Sequence, residues 1–122
     1  MRQWAEVAAR AADAKKATGT IILEVGPVLA ITDAFVITSA PNTRLVRSIV
    51  EEVERAVKAA GGPVPPRIEG LDDARWVLVD FGDFVVHVFE DQLREYYQLE
   101  RLWTDAPRWE WRDPARTVAG GE

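Results

Sequence analysis

The residues best suited to chemistry fall together in the second half of the chain: Asp80-Phe81-Gly82-Asp83, followed shortly by His87, the one histidine present. Carboxylates at strand ends are how two-metal nucleotidyl-transfer sites are assembled. Asp33 and Glu69 are the further acids such a site would draw on. Against that reading, Asp80 and Asp83 flank a tight turn and diverge, and no Gly- and Ser-rich loop is present to cradle a phosphate. Asp83 is better employed shaping the turn. The letters Asp-Phe-Gly also occur in protein kinases, but a kinase domain is about twice this length and needs a Gly-rich loop and a His-Arg-Asp segment. Neither is here. A histidine acting as general base needs a nucleophile or acid beside it, and the candidates Ser39 and Ser48 sit in no elbow motif. Arg44, at a helix start, could meet a phosphate or simply be solvated. Catalytic residues, a metal and a cofactor are therefore not expected.

The elements that must position these residues can be read from apolar spacing. Trp4, Val7, Ala8, Ala11 and Ala14 recur at intervals of three and four, which predicts an amphipathic helix over Trp4 to Ala17 that ends near Thr18-Gly19. Thr20 to Val25 and Phe35 to Ser39 are β-branched runs broken by Gly26-Pro27, and they read as strands. Asn42 or Thr43 caps a long helix whose stripe is Leu45, Ile49, Val53 and Val57, widened by Val46 and Val50. Glu51, Glu52, Glu54, Arg55 and Lys58 take its solvent side, and Gly61-Gly62 stops it. Arg67 to Gly70 is a candidate short strand. Trp76 to Phe81 and Phe84 to Phe89 are strands joined by the two-residue loop Gly82-Asp83. A last helix is predicted over Asp91 to Trp103, its apolar side formed by Leu93, Tyr96, Tyr97, Leu99, Leu102 and Trp103. Arg94, Glu95, Glu100 and Arg101 read as its exposed ion-paired face, with Glu100 set beside the aromatics.

The order αββαβββα predicts one α/β domain of α+β character: a mixed sheet of about five strands covered by three helices, spanning residues 1–104. Residues 105–122 read as a Pro-, Gly- and charge-rich tail, free to be flexible or docked in part through Trp109 and Trp111.

The hairpin can be resolved face by face. With Gly82-Asp83 as the loop, Phe81 lies opposite Phe84, and the pairing runs outward from there. Side chains alternate between faces, so Val77, Val79, Phe81, Phe84, Val86 and Val88 form one wholly apolar face, which is core. Trp76, Leu78, Asp80, Val85, His87 and Phe89 form the other. That mixture suits either a second core layer with its polar groups satisfied or a partner surface with Trp and Leu anchors.

Composition narrows the partner. At 122 residues, 48% hydrophobic and 29% charged, the chain has the balance of one globular domain. No apolar run approaches the roughly 18 residues of a membrane span, the N-terminal stretch does not read as a signal peptide, and cysteine is absent. A cytoplasmic setting without membrane contact is the expectation. The net charge of −5 disfavours direct binding to phosphate backbones and favours a basic protein, including one held within a ribonucleoprotein.

Two long motifs carry a family resemblance. Trp76-Val-Leu-Val-Asp80-Phe-Gly82-Asp83-Phe-Val-Val-His87-Val-Phe89, then Arg94-Glu-Tyr-Tyr97-Gln-Leu-Glu100-Arg-Leu-Trp103, resemble the core signature of the Iojap ribosomal silencing factors. Thr32-Asp33, Phe35-Val36-Ile37, Arg44 and Ile68-Glu69-Gly70 fall where that family has them, so the likeness spans about residues 4–104. Ser39-Ala-Pro-Asn-Thr-Arg44-Leu45 departs from the family's usual loop, and Ala34 is smaller than usual. The resemblance implies a nucleotidyltransferase-like fold without catalytic machinery. It implies a factor that binds ribosomal protein L-fourteen of the large subunit and sterically blocks the small subunit, repressing translation, with homodimers a further possibility. Large-subunit assembly is the alternative role, and a metal-dependent nucleotidyltransferase-like enzyme the more distant one. Trp76, Leu78, Asp80, Asp83, His87, Phe89, Tyr97, Glu100 and Trp103 are the residues expected to meet the ribosomal partner.

Overall fold

The computed structural model describes residues 2–27 and 32–112. Helix α1 (Arg2–Ala14) precedes strands β1 (Thr18–Glu24) and β2 (Ala34–Ala40), and helix α2 (Thr43–Ala59) leads on to β3 (Arg67–Glu69), β4 (Trp76–Asp80) and β5 (Phe84–Glu90). Helix α3 (Asp91–Tyr97) and a 3₁₀ segment (Leu99–Trp103) follow. The sheet order is β1-β2-β5-β4-β3. Only β2 and β5 run parallel, and the connection between them passes through α2. The mixed five-stranded sheet expected from the sequence is therefore present.

Local chemistry explains the elements. Asn42 caps α2, its side-chain oxygen accepting from the Leu45 amide at 2.8 Å, which satisfies one of the free donors at a helix start. Val46, Ile49, Val50, Val53 and Val57 are all buried along one face, where they meet the alanine face of α1 and the inward face of the hairpin, Val77, Val79, Phe81, Phe84, Val86 and Val88. That hairpin face was assigned to the core from alternation alone, and it is core. Small alanines let α1 approach closely, leaving the valines of α2 to fill the space.

The opposite face of the sheet carries a second, smaller core. Leu23, Val25, Phe35, Ile37 and Phe89 are buried there, with Leu93, Leu99 and Trp103 packed over them. Helices thus cover both faces, and the α3 end covers only part of its side.

Two expectations about the last helix require correction. First, the predicted single helix over Asp91 to Trp103 breaks at Gln98, which adopts a left-handed conformation with φ 47°. The break turns Leu99 and Trp103 down onto the second core and leaves Tyr96, Tyr97 and Leu102 exposed, so the six residues do not share one apolar side. Second, Arg94 belongs to no solvent face. Its guanidinium donates to the Thr18 carbonyl (2.8 Å), the Gly19 carbonyl (2.8 Å), the Ser39 hydroxyl (3.1 Å) and Glu100 Oε2 (3.0 Å). Gly19, at φ +50°, makes room for it: a Cβ there would lie 3.4 Å from Arg94 Nη1. Residues 105–112 take the docked alternative of the tail reading. Arg108 bridges Leu23, the Trp109 amide donates to the Ile22 carbonyl, and the Trp111 indole donates to the Thr20 carbonyl at 3.1 Å. Both tryptophans are buried, so this stretch straps the outer edge of β1. Residues 113–122 lie outside the described residues.

Candidate functional surface

The hairpin of β4 and β5 positions the candidate site. Its register pairs Trp76 with Phe89, Leu78 with His87 and Asp80 with Val85, as the two-residue loop requires. The turn is held differently from expectation. Asp80, not Asp83, shapes it, its Oδ1 accepting from the Gly82 amide at 2.8 Å. Asp83 contributes its backbone carbonyl, which accepts from the Asp33 amide and ties the turn to the start of β2. At the far end Gly70 adopts φ +87° and a Cβ would lie 2.2 Å from the Trp76 carbonyl oxygen, so only glycine lets the β3–β4 connection pass so close to Trp76.

Above the hairpin lies a train of aromatic rings running from core to solvent. Phe89, fully buried, stacks on Trp76 at 4.8 Å; Trp76 meets Tyr97 at 5.1 Å; Tyr97 meets Tyr96 edge-on at 5.0 Å. Exposure rises along it, with Tyr97 at 51% and Tyr96 at 79%. Offset and edge-on geometries of this kind are the favourable ones for aromatic pairs. Phe35 joins from β2, edge-on to His87 at 4.6 Å and to Trp103 at 5.7 Å.

His87 sits beneath this surface, 4% exposed. The Trp76 indole N–H donates to its Nδ1 at 3.2 Å. Burial pushes the imidazole pKa down to about 4, because a charged ring is poorly solvated there. At neutral pH the ring is therefore uncharged, with Nδ1 bare and the proton on Nε2.

Trp76, His87, Phe89 and Tyr97 are thus brought together, with Trp103 attached through Phe35. Leu78 and Asp80 lie alongside, lining a cleft of about 410 Å³ together with Phe35, Val85 and His87. His87 and Phe89 support the surface from below and do not form its outer layer. Asp83 is exposed at the turn. Glu100 stands apart, paired with Arg94. Among the described residues no group of three His, Asp or Glu side chains could hold a metal, and Arg44 is exposed. Sequence reasoning left Phe35 and Arg94 out of the site. Phe35 could be placed only once β2 was known to run parallel beside β5, at the position pairing Val85. Arg94 gave little signal, because three of its four acceptors, the Thr18 and Gly19 carbonyls and the Ser39 hydroxyl, lie far away in sequence.

A mixed five-stranded sheet, helices on both faces and an aromatic hairpin surface left partly uncovered define a small single-domain α/β factor. Its fold is similar to that of solved crystal structures, among them a protein from Chromobacterium violaceum, 29% identical, with a TM-score of 0.80 over 84% of this chain and 85% of that one, and a Bacillus halodurans protein, 35% identical, with a TM-score of 0.77 over 90% and 99%. The family described as "Ribosomal silencing factor during starvation" matches residues 1–121. The ribosomal silencing factor of Bacillus subtilis is 41% identical over 84% of this chain and 86% of its own length. A mouse protein named for mitochondrial assembly of the ribosomal large subunit is 38% identical over 68% of this chain and 37% of its own length. The chain belongs to the ribosomal silencing factor family. The likeness seen in two motifs over residues 4–104 thus extends to nearly the whole chain. No helix among the described residues is long and apolar enough to cross a membrane.

Proposed function

We propose that this chain silences ribosomes by steric occupation: it binds ribosomal protein L-fourteen of the large subunit in the cytoplasm and keeps the small subunit from joining, without catalysing a reaction. The observation that carries this reading is the ring train from buried Phe89 through Trp76 to the exposed Tyr97 and Tyr96. Rigid aromatic anchors rooted in a core are the groups that dominate protein interfaces, and the neighbouring Asp80 and Asp83, with the overall charge of −5, suit a basic partner. The same exposed rings also suit pairing with a second copy.

Leu78 lies beside Trp76 on this face and is half-buried. Leu78→Asp is expected to abolish co-sedimentation with isolated large subunits while circular dichroism and thermal unfolding remain those of a folded domain. Binding by the unaltered chain is expected to weaken as salt is raised, since contacts between acidic and basic groups are screened. A variant that binds normally would remove this face from the interface. A role in large-subunit assembly is favoured by the mouse relative's name; it would appear as accumulating large-subunit precursors in cells lacking the protein, where pure silencing leaves subunit maturation unchanged.

A further inference from the structure

Beside the aromatic train the cleft between the β3–β4 ladder and the start of β2 holds an unused polar group. His87 Nε2 is buried and has no hydrogen-bond partner. Because Trp76 donates to Nδ1 and an indole nitrogen can only donate, the proton of the neutral ring lies on Nε2. The unpartnered atom is therefore a donor, and what it lacks is an acceptor. Buried donors are almost always satisfied. No neighbouring acceptor reaches it: Phe35 stands edge-on to the ring, Leu78 and Val85 wall the cleft, and the Thr32 hydroxyl is engaged at the Gly82 carbonyl, to which it donates at 3.1 Å. The mouth is acidic on balance, with Glu69 and Asp80 against Arg67, and Arg67 is itself paired to Glu69 at 3.7 Å. An anionic acceptor is disfavoured at such a mouth, and a cation cannot accept from an N–H. What remains is an uncharged acceptor carried on a segment whose flanks are basic.

Building on the proposed ribosomal interface, we infer that this cleft receives one uncharged acceptor group from the basic partner, a backbone carbonyl or a side-chain amide or hydroxyl, which closes the hydrogen bond that His87 Nε2 leaves open. The apolar walls exclude water from that bond, and the carboxylates at the mouth meet the basic residues on either side. His87 then acts as a specificity element: it rewards a correctly placed acceptor and penalises an apolar or anionic group in the same place.

A single histidine makes the test direct. In the full chain labelled with nitrogen-15 histidine, long-range proton–nitrogen spectra should show Nδ1 bare and Nε2 protonated. Adding purified ribosomal protein L-fourteen is expected to move the Nε2 proton downfield and slow its exchange with solvent by roughly tenfold. His87→Phe is expected to weaken L-fourteen binding about tenfold, and His87→Gln, which can place a donor in the same region, to recover part of it. Both variants are first shown to be folded by their unfolding transitions. An Nε2 proton unmoved in a complex that forms normally overturns the inference and leaves the proposed interface standing. So does a proton that responds to N-methylacetamide alone and not to the partner, since the cleft would then be a small-ligand site. If the unaltered chain does not bind L-fourteen, both readings fall together.

Discussion

Replacing Arg94 with methionine is expected to cost about 3 kcal/mol of folding stability, the loss that follows when a largely desolvated charge leaves its partners stranded. The guanidinium ties the end of the β1–β2 ladder to the last segment of the fold: it donates to the Thr18 and Gly19 carbonyls on the bulged start of β1, the Ser39 hydroxyl on β2, and Glu100 on the 3₁₀ segment. Arg94 and Glu100 are only 15% and 23% exposed in their side chains, so water replaces little of what is removed. Glu100 Oε1 already lacks a partner; without Arg94 the whole carboxylate would be unpaired. Chemical denaturation measures the loss, and Arg94→Lys should rescue little, because an ammonium cannot serve this spread of acceptors from one fixed fork. A lysine variant as stable as the original would show that charge alone suffices. Because the Arg94–Glu100 pair spans the break at Gln98, methionine there should also loosen the Leu99–Trp103 cover over the second core.

The second large effect is pH dependence centred on His87. Burial depresses its pKa from the ordinary 6.5 to about 4. Above pH 6.5 the imidazole is neutral both folded and unfolded and contributes no pH dependence. Between pH 6.5 and about 4 the unfolded chain binds a proton that the folded chain refuses, so stability falls as the pH falls. Below about 4 the loss is complete. The gap corresponds to about 3 kcal/mol. Comparing the chain with His87→Phe isolates this contribution, since the carboxylates titrate in both. The variant loses the acceptor for the Trp76 indole at every pH, yet its stability should fall less steeply between pH 6.5 and 4. Parallel curves for the two proteins would mean that the imidazole is protonated in the fold as readily as in solution.

What was legible in the sequence follows the range of the forces involved. The core face of the hairpin, the stripe of α2 and the register set by Gly82-Asp83 depend on neighbours a few residues apart, and alternation or helical spacing displays them directly. The break at Gln98 went unseen because glutamine is an ordinary helix former. What bends the chain is the apolar gain of turning Leu99 and Trp103 onto Phe35, Ile37 and Phe89, an effect of tertiary packing. The second face of the hairpin was left open between core layer and partner surface, and it divides between them. His87 and Phe89 lie beneath, Trp76 and Leu78 lie at the boundary, and the extent of the α3 end decides which part stays open. Asp83 was read as the residue that shapes the turn and Asp80 only as flanking it, because which carboxylate faces the amide depends on backbone detail that residue type does not specify. The docking of Trp109 and Trp111 was legible only as a suspicion, since two tryptophans in a polar stretch must bury somewhere and nothing local says where.

The strap over β1 has a consequence for how the domain is made. An edge strand is a template for pairing with another chain, and here residues 108–111, synthesised long after Thr18–Glu24, are what close it. During translation the sheet can assemble through β5 while its first strand still offers open amides and carbonyls. Closure must then join residues as far apart as Thr20 and Trp111, a pairing whose loop-closure cost slows it relative to local contacts. Until Trp111 arrives, a nascent molecule carries one unprotected side, where pairing with another chain competes with closure.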